Sequence, residues 1–458
     1  MRSLRRVSEV RSKLPVRVQV GYATAEAGLN TAETILRLYL LAFYTDVVGL
    51  SAQLTGLAAS LAIVWDAIMD PIMGVISDRT RHRFGGRRFY LPIGALLLAL
   101  GLVAVFSPPM LHGQAAKFTW LLLAYCGLNT GMTVLSVPYA AMAGEMTENV
   151  HERTSLFGAR FVFANVGAFV AAGLPILLLV PGTGNGGAMP KVSLVAAVFV
   201  VITAMTTWMA TRRVRFLLLP LAKQSMLGAF VEPFRNPTFR PLVAAYVIAN
   251  IGIGINAATF LYYYQHVLQL GEHDRQLVLA TFLAVFTASI FGWVQLAKRF
   301  GKRRPLVVGA CVLGLGTPAL YLTVPAGGFA WVLGIGAIGL GAFVGSIVLL
   351  DTMLTDVLDH DSLRQRALRS GLFFGIWRFA NKLARAVSVL VVGVALGAAG
   401  FVEQSPAQPA AVRTMLTWLF GPGVGAFFLV AAWILWRARF DEGKQQQVRR
   451  LLARRGLV

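Results

Sequence analysis

Along this chain, apolar stretches of about 20 residues or more follow one another from end to end, separated by short polar connectors. A helix needs roughly 20 apolar residues to cross the ~30 Å hydrocarbon core of a bilayer. Twelve such stretches stand at residues 20–48, 52–77, 89–108, 117–144, 154–181, 190–211, 239–268, 275–297, 305–324, 328–352, 370–399 and 414–437. The pattern predicts an all-α integral membrane protein with twelve transmembrane helices. The first apolar run is too long for the core of a cleaved signal sequence, so it reads as a retained first helix.

The pattern also repeats. FGGRR at 84–88 returns as FGKRR at 300–304, and RTSLFGARFVFAN at 153–165 returns as RSGLFFGIWRFAN at 369–381. Both returns are displaced by 216 residues, which a chance match in apolar sequence does not explain. Two homologous six-helix bundles in parallel orientation follow, the plan of the major facilitator fold, with a binding site near mid-membrane between the halves. The expected organisation is a bundle over 1–210, a cytoplasmic linker over 211–240, a second bundle over 241–437 and a basic cytoplasmic tail over 438–458. The linker is basic and contains an amphipathic stretch, which predicts a helix lying on the membrane surface.

Composition agrees: 57% of residues are hydrophobic and only 14% charged, against about 25% charged in soluble domains. The formal charge of +22 changes the picture only through where it lies. Of 42 Lys and Arg, 33 fall in the termini and connectors of one side, and only Lys117, Lys191, Arg275 and Arg413 fall on the other. That asymmetry is the positive-inside rule. It places both termini in the cytoplasm, the chain in the inner (cytoplasmic) membrane, and explains the charge without nucleic acid. Cys126 and Cys311 fall within spans, and the six histidines show no metal spacing. There is no Walker loop, histidine pair or G-x-S-x-G, so neither an enzyme nor a cofactor is expected. The longest connector, about 25–30 residues, is short of a receptor's extramembrane domain.

Inside the spans, polar residues are sparse and patterned. Asp66 and Asp70 lie four residues apart in the second span, on one helix face, with no cation on that helix to neutralise them. Each carboxylate costs roughly 2.5–3.5 kcal/mol at mid-bilayer. At the repeat displacement they fall on Phe282 and Phe286, so the architecture itself does not require them. A cation site (Na⁺ or H⁺) at these acids is the expectation. The first span carries Glu26, Asn30, Glu33 and Arg37 on one face; Glu33 and Arg37 can also simply pair with each other. Thr133, Ser136 and Pro138 lie in the fourth span and Arg160 in the fifth. The eleventh holds Arg378, Lys382 and Arg385 on one face, for which Asp351, Asp356 and Asp359 at the close of the tenth are the natural partners. After the second span, Asp78 with Arg79, Arg87 and Arg88 forms a candidate cytoplasmic latch between helix ends.

FYTDVVGLS at 43–51, WDAIMDPIMG at 65–74, VPYAAM at 137–142 and TDVLD at 355–359 resemble the glycoside–pentoside–hexuronide:cation symporters, the group that includes the melibiose permease. The resemblance implies cation coordination by Asp66 and Asp70 with Thr133. It also implies that Arg160 and Lys382 face the interior. Where the melibiose permease has its two sugar-binding aspartates and stacking tryptophan, this chain has Asn30, Ser136 and Ala140, and Met69 replaces an amide beside the second cation aspartate. A galactoside is therefore not the expected substrate. The expected protein is a secondary active transporter, expected as a monomer, that moves a small organic solute of the glycoside, pentoside or uronide class by alternating access. Asn30, Glu33, Arg37, Ser136, Arg160, Arg378 and Lys382 are the expected substrate residues. The related animal branch carries lysophospholipids, so a sodium-dependent lysophospholipid or other amphiphile symporter is the alternative.

Overall fold

The computed structural model describes residues 14–80, 86–147, 150–178, 184–214, 232–365, 370–405 and 407–438. Among them every regular element is helical. In the first half the membrane helices are α1 (Val16–Ala42), α2 (Ala52–Thr80), α3 (Tyr90–Phe106), α4 (Gln114–Met146), α5 (Val150–Leu178) and α6 (Gly184–Ala210). In the second they are α7 (Phe239–Tyr262), α8 (Glu272–Phe300), α9 (Arg303–Tyr321), α10 (Val348–Gln365), α11 (Ser370–Ala398) and α12 (Val424–Arg437). The structure bears out the all-α fold with twelve membrane helices. Eleven helical spans are long and apolar enough to cross a bilayer; the twelfth, α1, is long enough but carries Glu26, Glu33 and Arg37. Most of the linker and nearly all of the tail lie outside the described residues.

Helix ends echo the repeat. α1 runs on through a widened turn, Phe43–Val48, and α7 through another, Tyr263–Val267. Gly49 closes the first at φ 72°, a backbone conformation that side chains disfavour. The approach to α10 is irregular: Val332–Leu340 is wound wide and Gly345–Ile347 tight.

α1 packs on α5 and α6, α3 on α4 and α6, and α2 on α4. In the second half α7 packs on α11 and α12, and α9 on α12. The two halves meet along α2–α11 and α5–α8, which the repeat makes equivalent pairs, and along α1–α7. At the end away from the basic connectors this seam is tight. Gly56 and Gly393 place α2 and α11 backbone to backbone, Tyr39 donates to Gln276 Oε1 at 3.0 Å, and the Thr45 and Tyr262 hydroxyls lie 2.7 Å apart. Towards the basic connectors the same helices part: a methyl group built on Gly74, Gly158, Gly292 or Gly375 would meet nothing within 4 Å. The halves are sealed at one end and diverge at the other.

Candidate substrate and cation site

Midway along the α2–α11 seam the second helix breaks its own bonding pattern. Pro71 has no N–H to give the Ala67 carbonyl, so the turn bearing Asp66 and Asp70 keeps a backbone oxygen without its usual donor. Asp66 is 1% exposed and Asp70 half-buried. Thr133 of α4 reaches both, its Oγ1 lying 2.7 Å from Asp66 Oδ1 and 3.0 Å from Asp70 Oδ1. A hydroxyl has one proton to donate. Three oxygens therefore converge with a single hydroxyl proton among them, an arrangement that favours a positive guest.

The other face of the acid pair already holds one. Lys382 of α11 places its ammonium 2.8 Å from Asp66 Oδ2 and 2.5 Å from Asp70 Oδ2. Beyond it Arg385 lies 4.0 Å from Asp66 Oδ2 and 2.7 Å from Glu33 Oε1, and Arg37 donates to that same Glu33 oxygen at 3.0 Å. Asp70, Lys382, Asp66, Arg385, Glu33 and Arg37 form a ladder of alternating sign from α2 through α11 to α1. Three acids against three bases leave it neutral, which is what lets it lie between helices in a low dielectric.

Beside the ladder, between the halves and under the sealed end, lies a cavity of about 440 Å³, within the size range of small-ligand sites. Asn30, Glu33 and Arg37 line it from the first half, Asn250, Asp351 and Asn381 from the second. Much of the remaining wall is aromatic or aliphatic. In it Phe282 and Phe286 lie near parallel, ring centroids 6.3 Å apart, at the repeat positions of Asp66 and Asp70.

Comparison with known proteins decides the class. A family model described as MFS/sugar transport protein matches residues 21–442. The chain belongs to that family. It is 28% identical over 457 residues to YagG of Escherichia coli (strain K12), named for glycoside/cation symport, with 96% of each chain covered. It is 24% identical to the isoprimeverose transporter of Lactiplantibacillus pentosus, covering 91% of this chain and 87% of that one. Among solved structures, a D-xylose–proton symporter superposes with a TM-score of 0.68 at 15% identity, over 93% of this chain and 98% of the other, a likeness of fold. The protein is a multi-pass membrane transporter, not an enzyme.

This member of the MFS/sugar transport family brings Asp66, Asp70, Thr133 and Lys382 together in one cluster, and Asn30, Glu33 and Arg37 onto one cavity wall. Lys382, expected among substrate residues, holds the two acids. Ser136, Arg160, Arg378 and Lys382 are not among the lining residues. Arg160 is 8% exposed and gives its Nε to Glu26 Oε2 at 2.7 Å, with its guanidinium 4.7 Å from the Tyr139 ring centroid. Arg378 is exposed, with no ion-pair partner among the described residues. Of the expected pairing of α10 acids with α11 cations, Lys382 and Arg385 go elsewhere among the described residues: Asp356 takes Lys302 at 2.6 Å, Asp351 takes the Trp377 indole, and the Asp359 side chain lies outside the described residues. The reason is geometric, since Lys382 and Arg385 point to α2 and α1 across the seam. Of the latch candidates, Arg88 donates to the Thr211 carbonyl at 2.8 Å, tying α3 to α6 within one half. Arg87 is half-buried beside it, and the side chains of Asp78 and Arg79 lie outside the described residues.

Arg160 and Glu26 yield a first prediction. Arg160→Ala leaves a carboxylate unpaired in the membrane interior, and breaking a buried pair from one side costs about 3–5 kcal/mol. The detergent-solubilised variant should melt well below the native chain, and pairing it with Glu26→Gln should restore much of the difference. Thermal unfolding monitored by fluorescence checks both.

Proposed function

We propose that this chain is a symporter that moves a small glycoside or pentoside together with Na⁺ or H⁺ by alternating access. The observation that carries the reading is the Asp66–Asp70–Thr133 oxygen cluster closed by the Lys382 ammonium, because it lies on the seam between the halves. An arriving cation competes with the ammonium for the same carboxylates. If it wins, Lys382 is released from α2, and the strongest polar tie between α2 and α11 goes with it. Cation occupancy thereby biases how the halves sit, which is what coupling requires. The order of sides follows the positive-inside reading: the sealed end faces outward and the diverging end the cytoplasm.

Within the saccharide class, the charged side chains lining the cavity are Glu33, Arg37 and Asp351, with no net positive charge. Arg37 is already bound to Glu33. This supports a neutral glycoside or pentoside over a uronide. The aromatic wall contributed by Phe282, Phe286 and Phe420 favours one rival, an amphiphile such as a lysophospholipid. Uptake into proteoliposomes of methyl β-D-xyloside, methyl β-D-glucoside, methyl β-D-glucuronide and lysophosphatidylcholine, under a Na⁺ gradient or a pH gradient, separates these. Accumulation of a neutral glycoside driven by one gradient is expected. Uptake of the lysolipid alone would replace the saccharide reading.

A further inference from the structure

α10 and α11 bring a second polar cluster to the cavity, on the wall facing α1. Asp351 is exposed to the cavity, and its Oδ1 accepts a hydrogen bond from the Trp377 indole Nε1 at 2.6 Å. Trp377 is buried behind it, stacked on Tyr246 of α7 with ring centroids 3.7 Å apart. Tyr246 and Asn381 line the same cavity. Asn381 Nδ2 donates to Asn250 Oδ1 at 2.9 Å and to the Tyr246 hydroxyl oxygen at 3.2 Å. Each member is held in place by the next.

What distinguishes Asp351 is its lack of a counter-charge. Glu33, Asp66 and Asp70 are each answered by a guanidinium or an ammonium. Among the described residues no cation pairs with Asp351, and its second oxygen has no hydrogen-bond donor. Its free oxygen faces the cavity with acceptor capacity that no protein donor uses, so a guest's donor can take it in place of water. The fold does not demand it, since the repeat position is Leu135, a buried aliphatic. A carboxylate holds a hydroxyl donor about twice as strongly as a neutral acceptor does, because the bond is charge-assisted. The neighbouring Tyr246 ring offers an apolar face to the carbon skeleton between those hydroxyls.

We propose that Asp351, oriented by Trp377 and flanked by Asn381 and Tyr246, is the hydroxyl-binding subsite that fixes substrate specificity from the second half of the molecule. Asp351 touches the guest; Trp377 is a positioning residue. The proposal rests on the saccharide reading above and deepens it.

The test is uptake and counterflow by the full-length chain in proteoliposomes, with methyl β-D-xyloside, methyl β-D-glucoside and their monodeoxy analogues as probes. Removing a charged hydrogen-bond partner should raise the half-saturation concentration of Asp351→Asn for the accepted probe by about 10–100-fold. The half-saturation for the cation should stay as in the native chain. Trp377→Phe keeps an aromatic ring against Tyr246 but removes the N–H along with part of the indole's volume, so it should raise the sugar constant more modestly without lowering the maximal rate. One deoxy analogue should bind the native chain much more weakly than its parent, and Asp351→Asn should no longer distinguish the two. A merely structural Asp351 would not produce that loss of discrimination. Should Asp351→Asn fail to fold, Trp377→Phe with the deoxy series decides alone. Unchanged sugar constants with discrimination intact overturn the subsite, as does loss of cation dependence with sugar affinity kept. A native chain that accepts neither glycoside overturns the saccharide reading and this one with it.

Discussion

Replacing Asp66 with asparagine abolishes gradient-driven accumulation of solute while the protein still inserts and folds. The variant keeps the shape of the side chain and removes the charge that Lys382 and Thr133 meet at 2.8 and 2.7 Å. Only Asp70 then remains to hold the ammonium, at 2.5 Å, and an incoming cation loses half of the anionic charge in its cage. With one of the two carboxylates neutral, cation affinity should fall by about 100-fold or more, a loss of roughly 3 kcal/mol of binding. Counterflow of solute without any gradient should survive within about tenfold, because it needs the halves to move but not the cation to be paid out. The double variant Asp66→Asn, Lys382→Gln restores the charge balance of the ladder, so it should regain thermal stability but not coupling. That contrast separates a coupling role from a structural one. Accumulation by Asp66→Asn that still responds to the cation gradient removes the site.

The chain states its fold openly and its site only in part. Spans and halves are legible because lipid imposes a long apolar run for each helix and because the 216-residue displacement survives in two loops. The acid pair is legible because two carboxylates at helical spacing in an apolar run have no innocuous local explanation. Their partner was less so. Lys382 lies 312 residues from Asp70, and no local pattern links the two. A signal does exist: the apolar span of α2, residues 52–77, carries Asp66 and Asp70 without a cation, and α11 carries Arg378, Lys382 and Arg385 without acids. Matching those surpluses across the chain would have joined them. Proximity in sequence instead favoured Asp351 and Asp356 as partners, and the seam overrode it. Nothing in the sequence marks Trp377 or Tyr246. Aromatics are common in membrane helices, and nothing in the sequence shows that one indole N–H meets a carboxylate on the preceding helix. Arg160 is legible as a buried charge, but its bond to Glu26 turns it from the cavity towards the α1–α5 contact.

Gly393→Leu should trap the transporter with its sealed end open. A Cβ at position 393 would stand 2.6 Å from the Ala52 carbonyl oxygen and 2.9 Å from the Gly56 Cα, both of them backbone atoms. Backbone cannot swing aside as a side chain does, so the overlap is relieved only by separating α11 from α2. Those helices belong to opposite halves, and they touch here only when this end is shut. The clash therefore destabilises one arrangement and leaves the other alone, and about 5.5 kcal/mol of such bias turns a 99:1 population into its reverse. A transporter confined to one arrangement completes no cycle, so net uptake should fall below about 1% of the native rate. Thr45→Cys reads the position of the seal directly, because in the closed arrangement Thr45 is buried against Tyr262. With Cys126 and Cys311 replaced, a membrane-impermeant maleimide should label Cys at 45 slowly in the otherwise native chain and rapidly beside Gly393→Leu. Gly375→Leu lies on the same helix at the diverging end, where a Cβ meets nothing within 4 Å, and should leave that labelling slow. Equal labelling in all three would mean that the seam does not close at Gly56 and Gly393, and that the seal between the halves is made elsewhere.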